Sequence, residues 1–155
     1  MSIIKVPELG LTNGVATPAF FSYVSGSQTI SNSTNTKIQF DSELFDTDNC
    51  FDNTTNYRFT PTVAGKYVLG AGCRLATSTN ANTWGCFVYK NGALAAIGDN
   101  VNDNQNTTQI NWVFDMNGTT DYLEIYAFQN TGSSQSLNIS TGRSNWFYSY
   151  RIIGA

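Results

Sequence analysis

The sequence contains no histidine. That absence removes the Ser-His-Asp and Cys-His arrangements of nucleophilic catalysis, and no G-x-S-x-G, P-loop or G-x-G-x-x-G motif offers another route, so no enzyme activity is expected. A structural zinc site loses its usual ligands for the same reason, since Cys50, Cys73 and Cys86 show no C-x-x-C spacing. Charge is scarce as well. Only 12% of the 155 residues are Asp, Glu, Lys or Arg, about half the usual share, and the net charge is −3. The 8 basic residues form no patch that would neutralise a row of phosphates, so nucleic acid is not expected as a partner. Apolar runs such as 65–71 and 94–97 fall far short of the roughly 20 residues that span a bilayer, and no membrane association is expected. The opening stretch contains Pro7 and meets an acid at Glu8, unlike the apolar centre of a secretory signal.

Aromatic residues make up 14% of the chain, and Asn, Ser, Thr and Gly fill much of the rest. A surface this poor in charge is either polar and neutral or covered by copies of itself. Apolar residues alternate repeatedly and nowhere recur at i, i+3, i+4, i+7 long enough for an amphipathic helix. Strands are expected over 19–24, 37–40, 56–60, 65–76, 84–90, 93–98, 108–116, 121–129, 137–140 and 145–153. Lys90-Asn91-Gly92 is a type I′ hairpin signal, because both central positions need φ > 0. Ten short strands separated by turn clusters give an all-β antiparallel sandwich or barrel. One domain is expected over 18–155, with core residues Phe20, Phe40, Phe59, Tyr67, Trp112, Phe114 and Phe147. The leader 1–17 carries a weak apolar set, Ile3, Ile4, Val6, Leu9 and Leu11, and suits an attachment segment, an added strand or a disordered tail. The three cysteines are expected as buried free thiols. A symmetric hairpin centred near Thr79 and Asn80 would also set Cys73 opposite Cys86, the one pairing to watch.

Strand parity carries the functional signal. Residues 108–116 alternate as a strand with one buried face does. In 121–128, by contrast, Leu123, Ile125 and Ala127 share one face while Tyr122, Tyr126 and Phe128 share the other. The segment 145–153 repeats the pattern, with Trp146, Tyr148, Tyr150 and Ile152 opposed to Phe147 and Ile153. A single sandwich has one interior to offer, so the second face is covered by a loop or by another subunit, and tyrosine-rich faces suit an interface. Tyr122, Tyr126, Phe128, Tyr148 and Tyr150, with Phe21 and Tyr23, are the expected self-association residues. Acids crowd 41–52, where Asp41, Glu43, Asp46, Asp48 and Asp52 leave a general acid and base pair formally open; Asp46, Asp48 and Asp52 are weak Ca²⁺ candidates, although the Gly and distal Glu of an EF-hand loop are missing, and no other cofactor is expected. The Asn-rich loops 77–83 and 99–107 suit either sugar hydroxyls, such as host glycans, or solvated turns.

Several segments, in order, resemble a known family. Pro18-Ala19-Phe20-Phe21-Ser22 is similar to the opening strand of C1q-like domains, and Ile38-Gln39-Phe40-Asp41 and Asn49-Cys50-Phe51-Asp52 to the next two motifs. Tyr57-Arg58-Phe59-Thr60 followed by Val63-Ala64-Gly65-Lys66-Tyr67 resembles the most specific one, Phe-Thr then Val-Pro-Gly-x-Tyr. Val88 to Gly92 resembles the central hairpin, Gly118 to Ile125 the Gly-Asp-x-Val strand, and Phe147-Tyr148-Ser149-Tyr150 the closing Phe-Ser-Gly-Phe. The resemblance implies a ten-stranded C1q/TNF-like jelly roll that assembles as a homotrimer, with interface strands beginning near Asp121 and at the C-terminal end. No collagen-like Gly-x-y stalk is present, and Ala64 and Ser149 depart from the motifs, so complement-type recognition does not carry over. The leader and the Asn/Thr-rich loops look most like stand-alone C1q-like proteins of tailed, especially marine, bacteriophages. This implies a virion component assembled in the bacterial host cytoplasm. Its partners would be itself and capsid or fibre proteins, as a capsid cement or knob or a fibre cap. The alternative is a carbohydrate- or receptor-binding module of a tail fibre.

Overall fold

Runs in which β-branched and aromatic residues alternate with polar ones become strands, and Asn, Asp and Gly become the turns between them. The computed structural model describes residues 17–76, 83–101, 107–139 and 142–152, among which there is no helix. Thirteen strands follow in chain order: β1 (Ala19–Tyr23), β2 (Thr29–Ile30), β3 (Thr36–Lys37), β4 (Ser42–Asp46), β5 (Phe51–Asp52), β6 (Arg58–Phe59), β7 (Gly65–Arg74), β8 (Trp84–Lys90), β9 (Ala93–Val101), β10 (Thr107–Met116), β11 (Leu123–Gln129), β12 (Gln135–Ser136) and β13 (Trp146–Arg151). Ten of them form two facing sheets, ordered β10-β7-β13-β1-β4 and β5-β6-β11-β8-β9. Strand β3 pairs with β11, and β2 with β12. All these ladders are antiparallel. The first and last strands lie side by side, and the Arg151 amide donates to the Pro18 carbonyl at 3.2 Å.

The inward faces meet in an aromatic cluster. Phe20 stacks on Phe51 and Phe59 at 4.5 and 5.0 Å between centroids, and Phe147 meets Phe20 edge-on at 4.9 Å. Phe40 packs on Phe147, and Tyr67 on Phe59. Burial of each such ring is worth roughly 1.5–3 kcal/mol. Two of the motifs noted in the sequence brace one another. Gly118 lies at φ +71°, and a Cβ there would stand 2.3 Å from the Ala64 nitrogen, so only glycine fits. The Tyr67 hydroxyl donates to the Val63 carbonyl at 2.7 Å. The Asn91-Gly92 turn has φ of 53° and 78°, as a type I′ hairpin requires.

Three expectations need correcting. Trp112 shares the inward parity of Ile110 and Phe114 yet is 53% exposed. It sits on an edge strand. A Cβ on Gly98 would lie only 2.6 Å from the Gln109 carbonyl oxygen, so β9 closes on β10 there, and the indole falls in a cleft between the two edges lined by Ile97, Gly98 and Asp99. Cys73 and Cys86 are not neighbours in a hairpin, because β7 and β8 belong to opposite sheets; the tip proposed at Thr79 and Asn80 is outside the described residues. Strands β2, β4, β5 and β12 were not expected; the segment read as a strand over 37–40 is ladder only at Lys37, and the one read over 137–140 is reduced to an isolated bridge from Leu137 to Leu75, residue 140 lying outside the described residues. The remaining expected core residues, Phe20, Phe40, Phe59, Tyr67, Phe114 and Phe147, are buried, as are all three cysteines, which are free thiols. The leader, apart from Thr17, is outside the described residues, as are most of the two Asn-rich loops.

Candidate assembly interface

β13 is central in its sheet, and its register with β7 fixes what covers its outward side chains. Trp146 pairs with Gly72 and Tyr148 with Gly70. With no side chain on either glycine, both rings lean across onto the β7 backbone. A Cβ on Gly70 would stand 2.4 Å from Tyr148 Cζ, and one on Gly72 2.7 Å from Trp146 Cε2. The rings overlap along the strand, Trp146 on Tyr148 at 5.5 Å and Tyr148 on Tyr150 at 6.1 Å, with planes within 12° of parallel. Phe21 of β1 extends the stack at 6.3 Å from Tyr148, and the Tyr148 hydroxyl donates to Asn111 Oδ1 at 3.3 Å.

Following the register across the sheet gives three rows. One runs Val113, Val68, Tyr150, Ala19; the next Asn111, Gly70, Tyr148, Phe21, Phe45; the third Gln109, Gly72, Trp146, Tyr23. None of these positions carries a charge. At the margin, the Arg143 guanidinium lies 4.9 Å from the centre of the Tyr23 ring. Phe45, Val113 and Tyr150 are each about half exposed, 49%, 49% and 48%. Among the described residues, no loop covers this neutral platform.

The expected self-association residues do not form one patch. Phe21, Tyr23, Tyr148 and Tyr150 lie on the platform, whereas Tyr122, Tyr126 and Phe128 belong to β11 or its approach, in the other sheet. There Tyr126 packs on Tyr89 at 4.3 Å, and the Arg58 guanidinium covers Tyr122 at 4.4 Å. Lys37 bonds the buried Glu124 at 2.5 Å. Burial, then the Glu124 carboxylate, push the Tyr126 phenol above its ordinary range. Phe128 lines a shallow apolar groove with Phe87, Tyr89 and Leu94. This second face is thus partly satisfied by charged partners of its own chain. Sequence reading did not single out Trp146, Gly70, Gly72, Asn111 or Val113 as platform residues. The shared parity of Trp146 with Tyr148, and the Gly-x-Gly spacing in β7, were the available signals.

The acid-rich stretch is a turn-building device. Asp46 Oδ1 accepts from the Asp48 and Cys50 amides and from Cys50 Sγ, and its Oδ2 from the Phe51 amide. Asp52 accepts from the amides of Thr54, Thr55 and Asn56, and these bonds, led by Thr55, hold its carboxyl well below the usual range. Asp48 Oδ2 is buried without a hydrogen bond. Among the described residues no three His, Cys, Asp or Glu side chains cluster to hold a metal.

No family model matches the sequence, and no curated protein aligns with it. Solved structures do match. Murine APRIL is 11% identical with a TM-score of 0.66, covering 88% of this chain and 99% of that one. The globular domain of zebrafish complement 1qA protein is 15% identical at 0.58, covering 87% and 97%. Eiger TNF from S. frugiperda is 11% identical at 0.55, covering 90% and 93%. At these identities the likeness is one of fold, and this chain has the C1q/TNF-like jelly-roll fold.

Proposed function

We propose that this chain is a non-catalytic structural protein of a tailed-phage virion, closing on itself as a homotrimer that decorates a capsid or caps a fibre. The observation that carries the assembly is the charge-free platform of Trp146, Tyr148, Tyr150 and Phe21 over Gly70 and Gly72. Five strands about 4.8 Å apart and three rows about 7 Å apart give a footprint on the order of 300 Å². A two-fold pairing of platforms would use only that area, well short of the roughly 800 Å² each partner buries in a stable complex. Setting the platform of one copy against the β9–β10 edge of the next also engages Trp112 and Ile97, which are 53% and 55% exposed. Such a head-to-tail contact joins unlike patches and, with a rotation of about 120°, closes as a ring of three copies. The non-catalytic part is supported by the missing histidine and by the engagement of Asp46 and Asp52 in turns. The virion assignment follows the sequence resemblance to phage C1q-like proteins.

Sedimentation equilibrium at micromolar concentration tests the assembly, with an expected mass three times the 17.0 kDa chain. Tyr148→Asp is expected to give a monomer, while Tyr126→Asp, on the other sheet, leaves the trimer intact. A wild-type monomer would sink the proposal, and the reverse response of the two variants would move the interface to β11. Mass spectrometry of purified particles tests the location: the protein at fixed stoichiometry is expected, and its absence removes the virion role while leaving the trimer standing.

A further inference from the structure

The two sheets share no backbone ladder between β7 and β8, yet Cys73 of β7 and Cys86 of β8 meet in the core. Both are fully buried, and Cys73 Sγ lies 3.8 Å from Cys86 Sγ, within thiol hydrogen-bond contact. A disulfide needs about 2.05 Å between the sulfurs, so the two must draw closer than they lie in the reduced core. Cys50 is engaged elsewhere, its thiol donating to Asp46 Oδ1 at 3.1 Å. The geometry therefore selects one pair out of three thiols.

We propose that Cys73 and Cys86 are a disulfide-forming pair that joins the two sheets covalently when the folding chain meets a small-molecule disulfide such as oxidised glutathione. One cysteine thiolate attacks a sulfur of the oxidant, forming a mixed disulfide and releasing one glutathione thiolate. The second cysteine thiolate attacks the protein-bound sulfur, forming the Sγ–Sγ bond and releasing the second glutathione. Two cysteines are oxidised, one glutathione disulfide is reduced to two thiols, and the cysteine protons pass to the solvent and the departing thiolates. Closure belongs to the opening or folding chain. In the closed sandwich no oxidant reaches the pair, and the hydrogen bond shared with Cys73, followed by burial, pushes the Cys86 thiol well above its ordinary range and keeps it protonated.

The test is to refold the reduced protein from urea in buffer rich in oxidised glutathione, alkylate it, digest it without reduction and map the peptides by mass spectrometry. A peptide joining Cys73 to Cys86 is expected, with Cys50 alkylated, an intact mass lower by two hydrogens, and a melting temperature that falls when dithiothreitol is added. Cys50→Ser is expected to keep the link and Cys73→Ser to abolish it. Three alkylated cysteines, a dominant link through Cys50 or a melt unmoved by reductant would overturn the proposal. If Cys50→Ser does not fold, the wild-type peptide map decides alone.

Discussion

Tyr148 occupies the space that a side chain on Gly70 would need: a Cβ there would come within 2.6 Å of the ring carbon Cζ and the hydroxyl oxygen alike. The aromatic ring and the bare backbone beneath it are one packing unit, shared between β13 and β7. A sheet glycine normally weakens its strand, and a cross-strand ring restores the lost cover.

Gly70→Ala is expected to force the ring off the sheet at a cost of about 1–3 kcal/mol, the usual range for overpacking. Urea denaturation measures the loss. The double variant Gly70→Ala/Tyr148→Ala is expected to recover part of it, because the clash disappears with the ring. A double variant that is merely the sum of the two single ones would show that the contact is not the cause.

On the opposite sheet, Lys37 pairs with Glu124, whose side chain is 6% exposed against 32% for the lysine. Removing the lysine alone by Lys37→Met leaves a buried carboxylate with its main partner gone. A fully buried pair would lose about 3–5 kcal/mol in this way; partial exposure of the lysine lowers the expected loss to about 2 kcal/mol. Lys37→Met/Glu124→Leu is expected to regain most of it. A denaturant double-mutant cycle checks both values.

Acid sensitivity is expected to run through Asp121. Its carboxylate accepts from Asn91 Nδ2 at 2.8 Å and from the Asn117 amide at 3.0 Å, and it pairs with Lys90 at 2.9 Å. The Asn91 bond, then Lys90, hold its carboxyl below the ordinary range. A folded pKa lower than the unfolded value of about 3.9 means this contribution is complete above that pH and drains away as the pH falls below it. Thermal melts between about pH 6 and pH 2 are expected to show a shallower acid limb for Asp121→Asn than for the native chain. An unchanged limb would assign the acid response to other carboxylates, Asp52 first.

Long strands were legible because their alternation spans many residues: β7, β8, β10 and β13 lie close to their expected limits. Strands β2 and β5 hold two residues each and show no period, and β4 is a polar edge strand whose largest side chains, Leu44 and Phe45, face outward. Parity within β11 and β13 correctly marked each as having two apolar-rich faces. It said nothing of which sheet each joins, since pairing is decided by residues far apart in the chain. That is why the seven aromatic residues expected at the self-association interface are divided between two sheets. Trp112 shows the same limit in one residue: its parity is inward, but only the path of β9 past Gly98 determines that no opposed strand covers it. The cysteine pair was found by spacing and placed by the wrong geometry, because the sequence gives no sign that the chain changes sheet between β7 and β8.

The hydrogen bond from the Arg151 amide to the Pro18 carbonyl means that the chain enters and leaves the domain at one spot. Whatever is joined ahead of residue 18 or beyond residue 152 therefore departs from neighbouring points of β1 and β13. A short bridge between these two positions, with a new opening cut at the exposed Asn91-Gly92 turn, would give a circular permutant that keeps every strand pairing. In a three-fold assembly the same geometry repeats three times the pairing of positions 18 and 151, so a cargo or a tether joined there is attached in triplicate.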